Sequence, residues 1–213
     1  QMTISFCIGN GESRNGYDLD PLKAHGKIYG SNAVHRDTTV DYLICCDKRM
    51  VEEALQSGYT GPVYTRNDWI SNFKSPQVEV LPTFNWEQNK KWEKTFHWGS
   101  GTHSAHLALK HRTDVLVMIG HDFWSVDGLH NNLYKGTHNY QGVDYSAVDP
   151  SFWVLQFAIL FAHFPNAQFF FCQHNIDNWK KPEQWEEHPN VQYKELNTLM
   201  EDLNGPWRCA SLY

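Results

Sequence analysis

The sequence predicts an α/β fold in which a mostly parallel sheet carries helices on both faces. Three observations predict it. Short apolar runs without polar alternation recur along the chain, and such runs belong to strands buried on both sides. Segments of helical character separate them. The chain has 213 residues, the length of a single domain of this class with room for an irregular lid or insertion.

Each element follows in order. Residues 4–8, Ile-Ser-Phe-Cys-Ile, form the first strand and run into Gly9-Asn10-Gly11-Glu12-Ser13-Arg14. Residues 18–22 have an acidic cap and an early Pro21, the marks of a helix start. Residues 27–30 are a short strand ending at Ser31-Asn32, and 41–46 a continuous apolar strand ending at Asp47. Residues 48–57 read as a helix closed by Gly58. A strand at 62–65 precedes an irregular stretch, 67–99, that is rich in Asn, Lys and Trp and holds a short strand at 78–81. Residues 100–112 read as a helix and 115–120 as the clearest strand. Residues 123–150, with Gly128, Gly136 and Gly142, are loop-like. The stretches 67–99 and 123–150 are the expected lid or acceptor-side loops. The apolar run 152–164, bounded by Pro150 and Pro165, suits a buried helix and is too short to span a bilayer. A strand at 168–172 and an exposed helix at 191–203 complete the reading.

Composition narrows the function classes. A formal net charge of −6 argues against a protein whose main task is to coat a nucleic-acid backbone, so a nucleic-acid acceptor is not favoured. Five cysteines include no Cys-x-x-Cys, and Cys7, Cys45, Cys46 and Cys172 lie in apolar runs as small buried hydrophobes. With no visible signal peptide, a reducing, cytoplasmic setting is expected. Several of the nine tryptophans fall in loop-like segments: Trp86, Trp92, Trp98, Trp179 and Trp185. Such residues either line a cleft or cap the core.

In parallel sheets ligands bind beyond the carboxyl ends of the strands, and polar residues gather there in this chain. Gly9-Asn10-Gly11 with Ser13 suits an anion held by bare backbone N–H groups; the alternative is a plain turn. It is not a complete dinucleotide fingerprint, because position 14 is Arg. Gly99-Ser100-Gly101-Thr102 opens a helix and is a second candidate anion site, or a plain N-cap. Asp122 follows a buried strand and faces the expected cleft; strand alternation turns only one of His121 and Asp122 inward. His130 and His138 lie in a polar loop and are candidate general bases. His103 and His106 share a helix face, but no His-Glu-x-x-His accompanies them and no metal site is assigned.

Taken in order, these segments resemble a family. The strand with Gly9-Asn10-Gly11-Glu12-Ser13 is similar to the Gly-Asn-Gly-Pro-Ser opening of bacterial sialyltransferases of the Campylobacter type. It is similar too to the related flagellin-glycosylation and pterin-diphosphokinase-like proteins. Ser31-Asn32, then Trp98-Gly99-Ser100-Gly101, then Ile119-Gly120-His121-Asp122-Phe123-Trp124 continue the resemblance, which spans about two thirds of the chain. The loop at 131–140 and Val148-Asp149-Pro150-Ser151 resemble bacteriophage proteins, which would put the chain in a host cytoplasm.

The resemblance implies a single Rossmann-like domain over residues 1–213 that binds a CMP- or UDP-sugar and transfers the sugar without a metal. It implies that Asn10 and Asn32 contact nucleotide or sugar, that Ser100 sits at the donor with Gly101 and Thr102, and that Asp122 lies in the cleft. His138 is the implied base. Trp124 stands where the family has a phosphate-binding Tyr, with Tyr134 or Tyr140 as its replacement. Glu12 stands where the family has Pro and needs a cation or Arg14 to offset it. The expected function is therefore glycosyl transfer from a nucleotide sugar to an unknown acceptor, by a monomer or an oligomer. Two alternatives stand beside it: a Mg²⁺-dependent diphosphokinase or other nucleotide transferase using Asp47 or Asp122, and a non-catalytic phage binder of a nucleotide or a host protein.

Overall fold

A computed structural model describes residues 2–84, 98–125, 127–129, 131–140, 142, 149–205 and 212. Eight strands form one sheet: β1 (Ile4–Ile8), β2 (Lys27–Ser31), β3 (Tyr42–Ile44), β4 (Val63–Thr65), β5 (Val78–Val80), β6 (Val115–Ile119), β7 (Gln168–Gln173) and β8 (Val191–Glu195). Their order is β5-β4-β3-β2-β1-β6-β7-β8, and every pair is parallel. This is the Rossmann-like α/β architecture the sequence predicts. Strands β2 to β5 grow away from one side of β1 and β6 to β8 from the other, so the order reverses between β1 and β6.

Among the described residues four α-helices cover the two faces: α1 (Lys48–Gln56), α2 (Ser100–Lys110), α3 (Ser151–His163) and α4 (Leu196–Leu203). The continuous apolar strands split by alternation. Phe6 and Ile8 of β1 pack with Val51 and Ala54 of α1 and with Leu196, Leu199 and Leu203 of α4. Cys7, between them, points to the other face, with Ala105 and Ala108 of α2 and Phe157 and Phe161 of α3. The four described cysteines are free thiols, and burial pushes those of Cys7 and Cys172 up to about 12.

Three readings of the sequence change. The start at Asp18 yields a short 3₁₀ turn, Asp20–Ala24, with Leu22 buried. Residues 191–203 are not one helix. Val191–Glu195 pairs with β7, Phe169 opposite Val191 through Gln173 opposite Glu195, and only then does α4 begin. Pairing with a neighbouring strand outweighs local preference there. Helix α4 is also not wholly exposed, since Leu196, Leu199 and Leu203 are buried. The short strand expected at 78–81 is present as β5, paired with β4 at the sheet edge. No helix among the described residues is long and apolar enough to cross a membrane.

Candidate functional site

The reversal of strand order leaves a crevice at the carboxyl ends of β1, β2 and β6. A cavity of about 210 Å³ opens there, lined from four directions by Asn10, Ser31-Asn32, the first turn of α2, and His121-Asp122-Phe123. Trp153 and Phe157 of α3 supply an aromatic wall.

Most backbone donors of the glycine loop after β1 are already paired. Gly9 N–H donates to the Ile119 carbonyl at 2.7 Å and Gly11 N–H to the Gly120 carbonyl at 2.8 Å. Glu12 N–H reaches Asn131 Oδ1 at 2.7 Å, and Ser13 N–H reaches Asp122 Oδ2 at 2.8 Å. These N–H groups are consumed in holding the β1 and β6 loops together. A Cβ on Gly9 would lie 2.6 Å from the Gly120 oxygen, and one on Gly120 2.6 Å from the Gly9 oxygen. The glycines therefore serve loop-to-loop approach, at a distance only a residue without Cβ permits.

Asp122 belongs to the same joint. Its Oδ1 accepts the Ser13 hydroxyl at 2.5 Å, beside the Ser13 N–H bond to Oδ2. Burial raises its pKa, against the two hydrogen bonds from Ser13 that favour the carboxylate. His121 and Asp122 both line the cavity, contrary to strict alternation, because Gly120 (φ +78°) turns the chain out of strand geometry before them.

A cluster of unused donors lies on α2. Gly99 provides no side-chain cap, and the first helical hydrogen bond to its carbonyl comes from His103 N–H at 3.0 Å. The N–H groups of Ser100, Gly101 and Thr102 have no acceptor among the described residues, and all three residues line the cavity. Their side chains are otherwise engaged. Ser100 Oγ accepts from Cys46 N–H at 3.1 Å and donates to Asn32 Oδ1 at 3.2 Å. Thr102 Oγ1 lies 3.0 Å from both the Gly99 carbonyl and Gln156 Oε1. Two acceptors opposite are unpaired: Ser31 Oγ, in a residue 3% exposed, and Asn10 Oδ1.

Tyr134 and Tyr140 lie behind the β1 loop. Tyr134 is hydrogen-bonded to Asp37 and receives Arg14 Nη2 at 2.8 Å, while the buried Arg14 holds the Gly9 carbonyl through Nε at 2.7 Å. Tyr140 accepts from Asn10 Nδ2 and Ala33 N–H, each at 3.3 Å. Neither phenol lines the cavity. The cation beside Glu12 is Lys135, 2.7 Å away, rather than Arg14.

His138 is not brought to the cavity. Its side chain is exposed and borders a separate hollow with Arg49, Glu53 and Ser57, and its carbonyl accepts from Arg36 at 2.9 Å. His130, Trp86 and Trp92 lie outside the described residues. Trp179 and Trp185 cap the core, each through its indole N–H, to the Asp122 carbonyl at 2.7 Å and the Val154 carbonyl at 2.9 Å. His103 and His106 are buried in α2 against Phe84, with ring centroids 5.7 and 4.5 Å away.

Ser31, Gly120, His121, Phe123, Asn131, Trp153 and Phe157 complete the cavity beyond the residues assigned from sequence. Ser31 and His121 stand at strand ends, a signal present in the sequence. Trp153 and Phe157 carry none, since their run reads as core throughout. No protein-family model, curated protein or solved structure matches the chain.

Proposed function

We propose that the chain binds a nucleotide sugar in the cavity between β1, β6 and α2 and transfers the sugar to an acceptor. The observation that carries the reading is the first turn of α2, where three unpaired N–H groups border a cavity at the switch point of a parallel sheet. Such a turn favours a phosphate through its donors and through the helix dipole. Among the described residues no Lys or Arg lines the cavity, so the α2 backbone donors bring positive potential directly to its wall.

The cavity is smaller than the roughly 300–1,000 Å³ of a drug-sized site, and suits the phosphate-bearing middle of a nucleotide sugar. Trp153 and Phe157 offer flat apolar surface to a base. In transfer, the bond between the sugar and its phosphate oxygen breaks with its electron pair leaving on the phosphate, while the acceptor hydroxyl oxygen bonds to the sugar and gives up its proton to water. The α2 donors then meet the charge growing on the departing phosphate. The Mg²⁺-dependent alternative is less well supported by the carboxylates it would use. Asp47 caps α1 through Arg49 N–H at 2.9 Å and pairs with the Arg49 guanidinium, and Asp122 is held by Ser13.

A thermal-shift series with CMP- and UDP-sugars, ATP and GTP, with and without Mg²⁺, tests the reading. At 100 times its dissociation constant a ligand adds about 2.7 kcal/mol. For a chain of this size that is a rise of roughly 5–10 °C. The expected result is a metal-independent rise with a pyrimidine nucleotide sugar, followed by release of the nucleotide during turnover. A rise only with ATP or GTP and Mg²⁺, or no rise at all, overturns it.

A further inference from the structure

His121 is 7% exposed, and its Nε2 lies 3.0 Å from the Cys7 carbonyl oxygen. A carbonyl oxygen only accepts, so Nε2 carries the proton. In the neutral ring Nδ1 is then a bare acceptor, and it has no partner among the described residues. Burial, with the nearby Arg14 charge, holds the ring's pKa down to about 4, so the ring is neutral at ordinary pH.

The position of Nδ1 is as informative as its chemistry. A Cβ built on Gly101 would sit 3.0 Å from Nδ1, so the glycine leaves this acceptor uncovered beside the first turn of α2. On its other side the imidazole meets Phe157 edge-on, with ring centroids 5.9 Å apart. His121 thus stands between the anion-binding turn and the aromatic wall. In a 5′-nucleotide the ribose joins the base to the phosphate. An ionised phosphate presents acceptors alone, which a bare Nδ1 repels; a ribose hydroxyl presents a donor.

We propose that His121 is a specificity-determining residue whose Nδ1 accepts a hydrogen bond from a ribose hydroxyl, so that the site selects ribonucleotides over deoxyribonucleotides. The proposal rests on the nucleotide-binding reading above. An acceptor that the deoxy ligand would cover without pairing sets the expected preference at roughly 10- to 100-fold.

The test titrates cytidine and uridine 5′-monophosphates, their 2′-deoxy and 2′,3′-dideoxy counterparts and inorganic phosphate into the wild type and His121→Gln. Glutamine retains a donor toward Cys7 and removes the acceptor at Nδ1. Wild type is expected to prefer the ribonucleotide, and His121→Gln to bind both forms with the wild type's weaker affinity. Long-range ¹H–¹⁵N spectra of the wild-type protein guard against a variant that misfolds. They are expected to report an unprotonated Nδ1 that shifts on adding the ribonucleotide and not on adding phosphate. Equal affinities in the wild type, a preference that survives in His121→Gln, or a proton on Nδ1 overturns the assignment of His121 while leaving nucleotide binding intact. Absence of binding by every nucleotide overturns the underlying reading, and this one with it.

Discussion

Ser31→Ala is expected to stabilise the ligand-free protein and to weaken its response to ligand. Ser31 ends β2 at 3% exposure, and its hydroxyl has no partner. Burying an unpaired hydroxyl costs about 1–3 kcal/mol. Removing it returns that cost, less roughly 0.5–1 kcal/mol for the vacated volume and the weaker strand preference of alanine. The balance is a gain of about 1 kcal/mol, or a rise in Tm of roughly 2–4 °C. Thr65 supplies the control. It is fully buried at the end of β4, its Oγ1 is also unpaired, and it does not line the cavity. Thr65→Val is expected to stabilise by a similar amount. Melting both variants with and without cytidine 5′-monophosphate separates the two contributions: Ser31→Ala loses part of the ligand-induced shift, and Thr65→Val keeps it. A Ser31→Ala variant less stable than wild type by more than about 0.5 kcal/mol would refute the reasoning, since its hydroxyl would then have a partner. Equal ligand shifts in the two variants would remove Ser31 from the site.

Three further outcomes are expected. Gly9→Ala forces a methyl against the Gly120 carbonyl and parts two interloop hydrogen bonds, so urea unfolding should register a loss of about 2–4 kcal/mol; a loss below about 1 kcal/mol would mean the loops separate freely. His121 has a depressed pKa in the fold, so the stability it contributes is present above its unfolded value of 6.5 and is lost as pH falls to about 4. Denaturation across that window should cost the wild type about 3 kcal/mol more than His121→Gln, and parallel pH profiles would count against a buried neutral ring. Arg36 ties residues 137–140 down through Thr137 Oγ1 at 2.8 Å and the His138 carbonyl, and is paired with Glu53. Arg36→Ala should therefore speed proteolysis within 131–140, and an unchanged cleavage rate would show the loop to be held elsewhere.

Much of the fold was legible because strands buried on both faces leave an unbroken apolar signature. Residues 4–8, 115–119 and 168–173 are continuous runs, and each is a central strand. β8 escaped because an edge strand is only half-buried, and Val191-Gln192-Tyr193-Lys194-Glu195 lacks such a run. The location of the cavity was legible from the polar residues at strand ends. The use of those residues was not. Whether the Gly9 and Gly11 amides are free depends on Ile119 and Gly120, more than a hundred positions away. The turn that brings His121 and Asp122 into one cavity depends on a positive φ at Gly120. Loop 131–140 packs Leu133 and Tyr140 against the α1 and α4 face, and so carries His138 outward; no local pattern encodes that docking.

The interlocked loops after β1 and β6 also constrain how the chain acquires its site during synthesis. Strands β1 to β5 are complete by residue 80, but the outer edge of β1 waits for residues 115–119. At 5–20 residues per second that interval lasts roughly 2–8 s. Throughout it, Ile4–Ile8 presents a bare apolar edge, the kind of surface that pairs with other chains. Ligand cannot relieve the exposure, because Gly120, His121 and Asp122 do not yet exist to close the cavity. Until β6 is made, the nascent half-sheet carries its central strand with one edge unpaired, and that edge is the one the β6 loop later locks through Gly9 and Gly11.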